Sequence, residues 1–106
     1  FNIKRVYYIT KADPKLSRGY HAHKKNRQVL FCIQGTVKLT LDNGKRRKKF
    51  FLDESNIGVF IDKMIWHEME NFKKDTILLV FASKAFNEKD YIRNYEEFKK
   101  KAGKIS

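Results

Sequence analysis

The sequence predicts an all-β domain, a closed barrel or jelly roll built from short strands, followed by one α-helix near the carboxyl end. Runs of β-branched and aromatic residues, each bounded by turn residues, recur along most of the chain, as they do in all-β folds. The pair Asn43-Gly44 lies between two such runs and is a strong signal for a hairpin turn. From about Asn87 onward the apolar residues recur at helical spacing instead.

The apolar content of each predicted strand indicates its place in the barrel. Residues 28–33 are almost continuously apolar, which is typical of a central strand. Residues 36–41 alternate apolar and polar side chains, so one face of that strand is apolar. A loop over residues 11–16, broken by Asp13-Pro14, follows the first strand. The other strands are predicted over residues 3–10, 19–23, 46–52, 56–61, 65–72 and 76–82.

The helix is predicted to begin near Asn87 and to continue toward the carboxyl end. Asn87 is expected to cap its amino end, with Asp90 three residues further on in the position of a capping box. The apolar face of the helix is expected to consist of Tyr91, Ile92, Tyr95 and Phe98.

The composition predicts a single folded domain that spans residues 1–106. Five tyrosines, nine phenylalanines and one tryptophan supply its core, which argues against disorder. No apolar run is long enough for a transmembrane helix and no leader is recognisable, so a cytoplasmic location without a membrane partner is predicted. Because the chain starts at Phe1 rather than at Met, we expect the natural amino terminus to have been trimmed. The single cysteine, Cys32, is expected to be a buried small hydrophobe.

The net charge of +12 favours anionic partners such as nucleic acid, acidic membranes or phosphorylated metabolites. The positive charge concentrates in residues 45–49 and 99–104. We interpret both runs as a solvated lysine-rich surface. Since the sequence has no recognition-helix pattern and no basic stripe with interleaved aromatics, no nucleic-acid partner is predicted.

The chain's three histidines are the strongest candidates for chemistry. His21 and His23 are two residues apart on a predicted strand, so both side chains point to the same face. His67 lies on a later strand and shares its face with Met69. Two strands that converge inside a small barrel can bring all three imidazoles together. The His-x-His pair alone is a weak signal, since such pairs are often exposed or simply hydrogen-bonded in a core.

The neighbours of this pair resemble the first sequence motif of the cupins. Gly19 precedes the histidines, Gln28 follows them after four residues, and Gly35 follows after six more. The second cupin motif is matched only in part: His67 is followed after three residues by an asparagine, but the expected Pro and Gly before it are missing. The resemblance implies a cupin-type jelly-roll barrel.

Cupins commonly bind a divalent metal through the two histidines and the Glu of the first motif and the histidine of the second. Here Gln28 replaces the Glu, and a neutral amide oxygen is a weaker ligand that cancels none of the metal's charge. Lys24, Lys25 and Arg27 lie close by in the sequence. We therefore expect no metal and no other cofactor.

Five stretches resemble the family of dTDP-4-keto-6-deoxyglucose 3,4-ketoisomerases, also called WxcM-like. They occur in family order and cover nearly the whole chain. Members carry a further amino-terminal strand segment, which is expected to be missing here, and the strand edges left uncovered predict a homodimer. The stretches are KRVYYI at 4–9, RGYHAHK at 18–24, QVLFCIQG at 28–35, WHEM at 66–69 and DYIRNYEEF at 90–98.

The resemblance implies that the keto group of a dTDP-linked 6-deoxyhexose moves from C-4 to C-3 through an enediol, in deoxysugar biosynthesis for surface polysaccharides. It implies that His21 is the base, that His23 orients or assists it, and that Tyr7 passes protons between the C-3 and C-4 oxygens. Histidine, with a reference pKa of about 6.5, holds a proton reversibly near neutral pH. No redox cofactor is needed, because oxidation at one carbon matches reduction at the next.

Substrate contacts are implied for five side chains. Arg18 and Lys24 flank the histidine pair and are candidate partners of the pyrophosphate. Trp66 is a candidate to stack on thymine or sugar. Gln28 and His67 are expected beside the sugar, where a histidine at position 67 favours the axial, galacto-type product.

Other classes of function stay open from the residues alone. One is a metal-dependent cupin enzyme, which metal analysis of the purified protein separates from a ketoisomerase. Another is a non-catalytic sugar-binding cupin or a nucleic-acid-binding barrel, and salt-dependent binding to DNA would identify the latter.

Overall fold

The computed structural model describes residues 1–11, 13, 15 and 17–105. Within them the chain forms two antiparallel sheets that enclose a core, with one α-helix packed outside the second sheet. The loop predicted over residues 11–16 lies partly outside the described residues, at Ala12, Pro14 and Leu16. The elements are β1 Arg5–Ile9, β2 Arg18–His23, β3 Gln28–Gln34, β4 Val37–Asp42, β5 Arg47–Leu52, β6 Gly58–Ile61, β7 Trp66–Glu70, β8 Ile77–Ala82, β9 Tyr91–Ile92 and α1 Tyr95–Ile105.

The sheets form the sandwich of a jelly roll, as predicted. The first sheet has the strand order β1-β8-β3-β6 and the second has β5-β4-β7-β2-β9. Because side chains alternate along a strand, each sheet turns every second residue toward the other sheet, and the core fills the space between them. The predicted strands are confirmed, with ends that differ by at most two residues. The buried core is made by Leu30, Cys32, Val37, Leu39, Leu52, Ile61, Met69, Phe72, Leu78 and Val80.

The hairpin between β4 and β5 turns at the predicted pair. The amide of Asn43 donates to the Arg46 carbonyl, and the Asn43 side-chain oxygen accepts from the amide of Arg46. Gly44 has a φ of +96°, a backbone conformation that glycine adopts without strain. The turn also brings Gly44 against Ala102 of α1, so the two basic runs lie on neighbouring elements.

The predicted start of the helix is wrong. Asn87 caps only a short 3₁₀ turn, Glu88–Asp90, by accepting from the amide of Lys89. Tyr91–Ile92 then pairs with β2 as a short strand, and α1 starts after Asn94, whose side chain accepts from the amide of Glu97 at 2.9 Å. The spacing of the apolar residues fits a helix equally well, but the backbone bonds to β2 are non-local and decide the conformation.

Helix α1 covers the outer face of the second sheet. Phe98 and Trp66 form the centre of a second apolar cluster, with ring centroids 5.8 Å apart. The Tyr95 hydroxyl donates to the buried Asp42 carboxylate at 2.6 Å, and Arg47 pairs with the same carboxylate at 3.1 Å. Burial would raise the pKa of Asp42, but these hydrogen bonds outweigh it and lower the pKa. Asp42 therefore joins the helix to the sheet as an ionised carboxylate.

The outer face of the first sheet is apolar from edge to edge. One row across the four strands reads Val6, Phe81, Val29 and Phe60, and the next row reads Tyr8, Leu79, Phe31 and Gly58. Several of these side chains are widely exposed: Val6 at 55%, Tyr8 at 69% and Phe60 at 51%. An apolar face of this extent on a small domain marks a contact surface.

Two further expectations can be compared with the described residues. Cys32 is buried at 1% exposure, as predicted, and its thiol donates to the Gln34 carbonyl at 3.3 Å. In the part of the chain that the structure describes, no helix is both long and apolar enough to cross a membrane.

Candidate active site

A cavity of about 380 Å³ opens between the two sheets. Alternation turns Tyr7 of β1, Gln28 of β3, and His67 and Met69 of β7 into it. Arg18, the first residue of β2, also lines the cavity. The cavity therefore collects groups that bind anions and groups that move protons. Its full lining is Tyr7, Tyr8, Ile9, Arg18, Gly19, His21, Gln28, Leu30, Ile61, His67, Met69, Val80, Tyr91 and Arg93.

The three histidines converge as predicted, because β2 and β7 are paired neighbours. His21 lies directly opposite His67 in the register, and their ring centroids are 4.4 Å apart. The centroids of His21 and His23 are 5.1 Å apart. One ring nitrogen from each histidine lies within 4.8 Å of the others. The register of β2 against β7 shifts between Gly19 and His21, where Gly19 has a φ of +87°.

Each imidazole has its Nδ1 atom beside an oxygen that can only accept. Nδ1 of His21 lies 3.0 Å from the Gly19 carbonyl, and Nδ1 of His67 lies 3.4 Å from the Ile65 carbonyl. Nδ1 of His23 lies 3.2 Å from the carboxylate of Asp90. These partners place the proton of each neutral ring on Nδ1 and leave a lone pair on Nε2. His21, which lines the cavity, therefore presents an unprotonated nitrogen.

The electrostatics of the cluster keep its histidines neutral. Burial, followed by the repulsion of a nearby His23, lowers the pKa of His21 from 6.5 to about 4. Burial, with His21 and His23 beside it, lowers the pKa of His67 to about 3. Burial also lowers the pKa of His23, although the Asp90 carboxylate opposes this. At neutral pH His21 is thus free to accept a proton.

Tyr7 lies across the cavity with its hydroxyl protonated. Burial raises the pKa of this hydroxyl, although the guanidinium of Arg5, 4.8 Å from the ring centroid, pulls it down. The hydroxyl donates to the side-chain oxygen of Gln28 at 3.5 Å. A protonated phenol in this position can donate to one oxygen of a ligand and accept from another.

Two of the residues predicted to bind substrate lie outside the cavity lining. Trp66 is 3% exposed beneath α1, and its indole Nε1 donates to Glu68 at 2.9 Å. Lys24 is exposed, and its backbone amide donates to the Asp90 carbonyl. Arg18, Gln28 and His67 do line the cavity.

Three residues near the cluster were missed by the sequence analysis. Arg93 lines the cavity, stacks 4.4 Å above the Tyr91 ring and is paired with both oxygens of Glu88, at 2.7 and 3.0 Å. Tyr91 packs its ring 4.8 Å from His21, and Asp90 holds His23. Asp90, Tyr91 and Arg93 all lie in the segment that was predicted to be helical. Their charged and aromatic side chains were the one sequence signal for a role in the site.

The donor set fits a resident divalent metal poorly. Three imidazole nitrogens are close enough to share an ion. However, among the described residues that line the cavity none is a carboxylate, and Gln28 supplies only a neutral oxygen. Two guanidinium groups, those of Arg18 and Arg93, line the same cavity and add positive charge.

Comparison with known proteins identifies the family of the chain. The family model FdtA, described as WxcM-like, C-terminal, matches residues 1–103. The TDP-4-oxo-6-deoxy-alpha-D-glucose-3,4-oxoisomerase of Aneurinibacillus thermoaerophilus is 43% identical over 106 residues, which are 100% of this chain and 76% of that protein.

Solved structures give the same result. QdtA, a sugar 3,4-ketoisomerase of Thermoanaerobacterium thermosaccharolyticum solved with TDP, is 46% identical with a TM-score of 0.95, over 99% of this chain and 77% of that one. The WlaRB TDP-quinovose 3,4-ketoisomerase of Campylobacter jejuni is 46% identical with a TM-score of 0.91, over 94% and 77%. Because the family model matches residues 1–103 of this 106-residue chain, the chain belongs to the FdtA, WxcM-like family.

Proposed function

We propose that the chain is a 3,4-ketoisomerase that moves the keto group of dTDP-4-keto-6-deoxyglucose from C-4 to C-3. The observation that carries this is the contact of His21 Nδ1 with the Gly19 carbonyl, which favours an unprotonated Nε2, in a cavity that also holds the Tyr7 hydroxyl and two arginines. Relatives at 43% and 46% identity bear the names of such enzymes, which supports the same activity.

The residues suit each proton transfer in the reaction. His21 takes the C-3 hydrogen as a proton, the C–H electron pair becomes the C-3=C-4 double bond, and the C-4 oxygen takes the negative charge. Tyr7 donates its proton to that oxygen and receives the proton of the C-3 hydroxyl. The C-3 carbonyl then forms as C-4 takes the proton from His21. The electrons balance within the sugar, so no oxidant or reductant enters.

The direct test is incubation of the sugar nucleotide with the protein in deuterated water, followed by proton NMR. We expect the keto group to appear at C-3 with solvent deuterium at C-4, because a proton held on a histidine exchanges with water. A sugar nucleotide that is returned unchanged would contradict the proposed activity.

A parallel incubation in ordinary water, in which C-4 receives a proton, reports the configuration at C-4. His67 lies inside the cavity beside Met69, and its pKa of about 3 leaves it without an extra proton to deliver at neutral pH. His21 therefore returns the proton to C-4 on the face from which it took the C-3 hydrogen, which gives the axial, galacto-type product, dTDP-3-keto-6-deoxygalactose. A large axial–axial coupling between H-4 and H-5 would identify the gluco-type product instead.

Arg18 and Arg93 are the proposed partners of the pyrophosphate. Both line the cavity, and a guanidinium binds phosphate oxygens in bidentate fashion. Arg93 donates to both carboxylate oxygens of Glu88, which orients its guanidinium. Lys24 and Trp66 do not line the cavity, so we do not include them in this binding set.

Activity should not depend on a metal. A metal-dependent cupin enzyme is the second candidate, since one nitrogen of each histidine lies within 4.8 Å of the others. The described lining residues include no carboxylate and do include two arginines, which argues against it. We expect full turnover after prolonged dialysis against a chelator, measured on the same sugar nucleotide. Loss of turnover that one added metal restores would favour the second candidate.

A second copy of the chain is the proposed partner of the apolar outer face of the first sheet. An isologous dimer would bury the rows that contain Phe60 and Tyr8. We expect the protein to sediment as a dimer and Phe60→Lys to shift it to monomer. Phe51→Lys is the matched control, since Phe51 is similarly exposed, at 56%, but lies on the second sheet. A monomeric protein, or a dimer that only Phe51→Lys dissociates, would contradict the proposed interface.

A further inference from the structure

We infer that Asp90 is a positioning residue for the proposed isomerisation, because its carboxylate holds His23 in one tautomer and one orientation next to the base. The inference rests on the proposed function and concerns a residue that does not line the cavity. None of the proton transfers proposed for His21 and Tyr7 involves Asp90.

The carboxylate of Asp90 is anchored independently of the histidine. It accepts from the backbone amide of Lys25 at 2.8 Å and from that of Asn26 at 3.2 Å. The Asp90 carbonyl accepts from the amide of Lys24 at 2.9 Å, and its own amide donates to Asn87. Backbone donors from the turn between β2 and β3 thus fix a carboxylate that is only 12% exposed.

His23 is nearly enclosed and lies behind the base. It is 4% exposed, and Oδ2 of Asp90 lies 3.2 Å from its Nδ1 atom. Its ring centroid is 5.1 Å from that of His21 and 4.5 Å from that of Tyr91. His23 is absent from the described cavity lining, so it influences the substrate through His21.

The tautomer of His23 matters when His21 becomes charged. After His21 takes the C-3 proton, an imidazolium stands beside His23. With Nδ1–H directed at Asp90, His23 keeps its lone pair on Nε2, and the negative end of its dipole lies on the side away from the carboxylate. The opposite tautomer would carry its N–H on Nε2, so the lone pair would be lost from the side away from the carboxylate. The Asp90 carboxylate also adds a fixed negative charge behind the cluster, whereas Glu88 is exposed and paired with Arg93.

The inference is tested by ¹⁵N NMR of the imidazoles and by steady-state kinetics on Asp90→Asn. The chain has only three histidines, so each ring can be assigned. In the unmodified protein we expect His23 to carry its proton on Nδ1. In Asp90→Asn the side-chain amide can donate to Nδ1, so we expect the Nε2–H tautomer and a kcat lower by about 10- to 100-fold, the scale of a lost histidine partner. KM should not change. Glu97→Gln is the control, since Glu97 is an exposed carboxylate on α1 paired with Lys101, and it should leave both constants unchanged.

Each outcome decides a different point. Nε2–H on His23 in the unmodified protein overturns the inference even if Asp90→Asn does not fold. Equal kcat values for Asp90→Asn and the unmodified enzyme overturn it as well, as does a change in KM alone. If Asp90 acts through His23, adding Asp90→Asn to His23→Asn should lower kcat no further. Absence of isomerase activity in the unmodified protein contradicts the proposed function instead, and the tautomer measurement still decides whether Asp90 holds His23.

Discussion

Replacing His21 with asparagine is expected to lower turnover by a factor of about 100 or more, the usual scale for loss of a general base. Asparagine fills much of the same space and can still hydrogen-bond, but it cannot take a proton from carbon. The measurement is the initial rate of keto transfer followed by NMR. Because His21 is partly buried beside two other imidazoles, thermal unfolding of the variant should be recorded as a control for folding. Near-normal turnover would remove His21 from the proposed mechanism.

The lowered pKa of His21 also sets the pH dependence. The neutral ring is the competent form, so turnover per folded molecule should stay constant as the pH falls from 7 and should decline only near the folded pKa of about 4. Stability behaves differently. In the unfolded chain the pKa of His21 is about 6.5. As the pH falls below that value, protonation favours the unfolded chain, so the free energy of unfolding decreases progressively between about pH 6.5 and 4. Rates should therefore be measured together with the folded fraction.

Replacing Tyr7 with phenylalanine is expected to lower turnover by about 100-fold, within the range for proton transfer by a positioned group. The ring stays in place against the Arg5 guanidinium, but the hydroxyl that serves the C-3 and C-4 oxygens is lost. KM should change little, because Arg18 and Arg93 still line the cavity.

The matched control for Tyr7→Phe is Tyr20→Phe. Tyr20 is 41% exposed and lies outside the described cavity lining, so losing its hydroxyl should leave turnover unchanged. Equal effects of the two replacements would show that the Tyr7 hydroxyl has no specific part in proton transfer.

The histidine cluster could be predicted because it depends on short-range rules. Side chains two residues apart on a strand point to the same face, which places His21 beside His23. His67 joins them because its strand, β7, pairs with β2. The same rule also excludes Trp66 from the cavity: it precedes His67 by one residue, so it points to the opposite face, where α1 covers it. Core packing therefore explains Trp66 in this structure, where its ring lies 5.8 Å from that of Phe98.

The part of the site that could not be predicted comes from a non-local pairing. Asp90, Tyr91 and Arg93 reach the cluster because Tyr91–Ile92 adds to the edge of β2. In the local sequence the same residues fit a helix, and the bonds from Asp90 to Lys25 and Asn26 span more than sixty positions. Only the folded chain brings these segments together.

The apolar outer face of the first sheet has a consequence for strand alignment. Where one face of a sheet is polar, sliding a strand by one residue exposes its apolar set, which disfavours the slip. Here both faces are apolar, so the slip is not penalised in this way. Gly35 then helps to fix the native alignment. It has a φ of +81°, and a Cβ there would lie 2.8 Å from the Cα atom of Thr76, so a larger residue fits only if the backbone shifts. A larger residue at Gly35 should therefore disturb the pairing of β3 with β8 during folding.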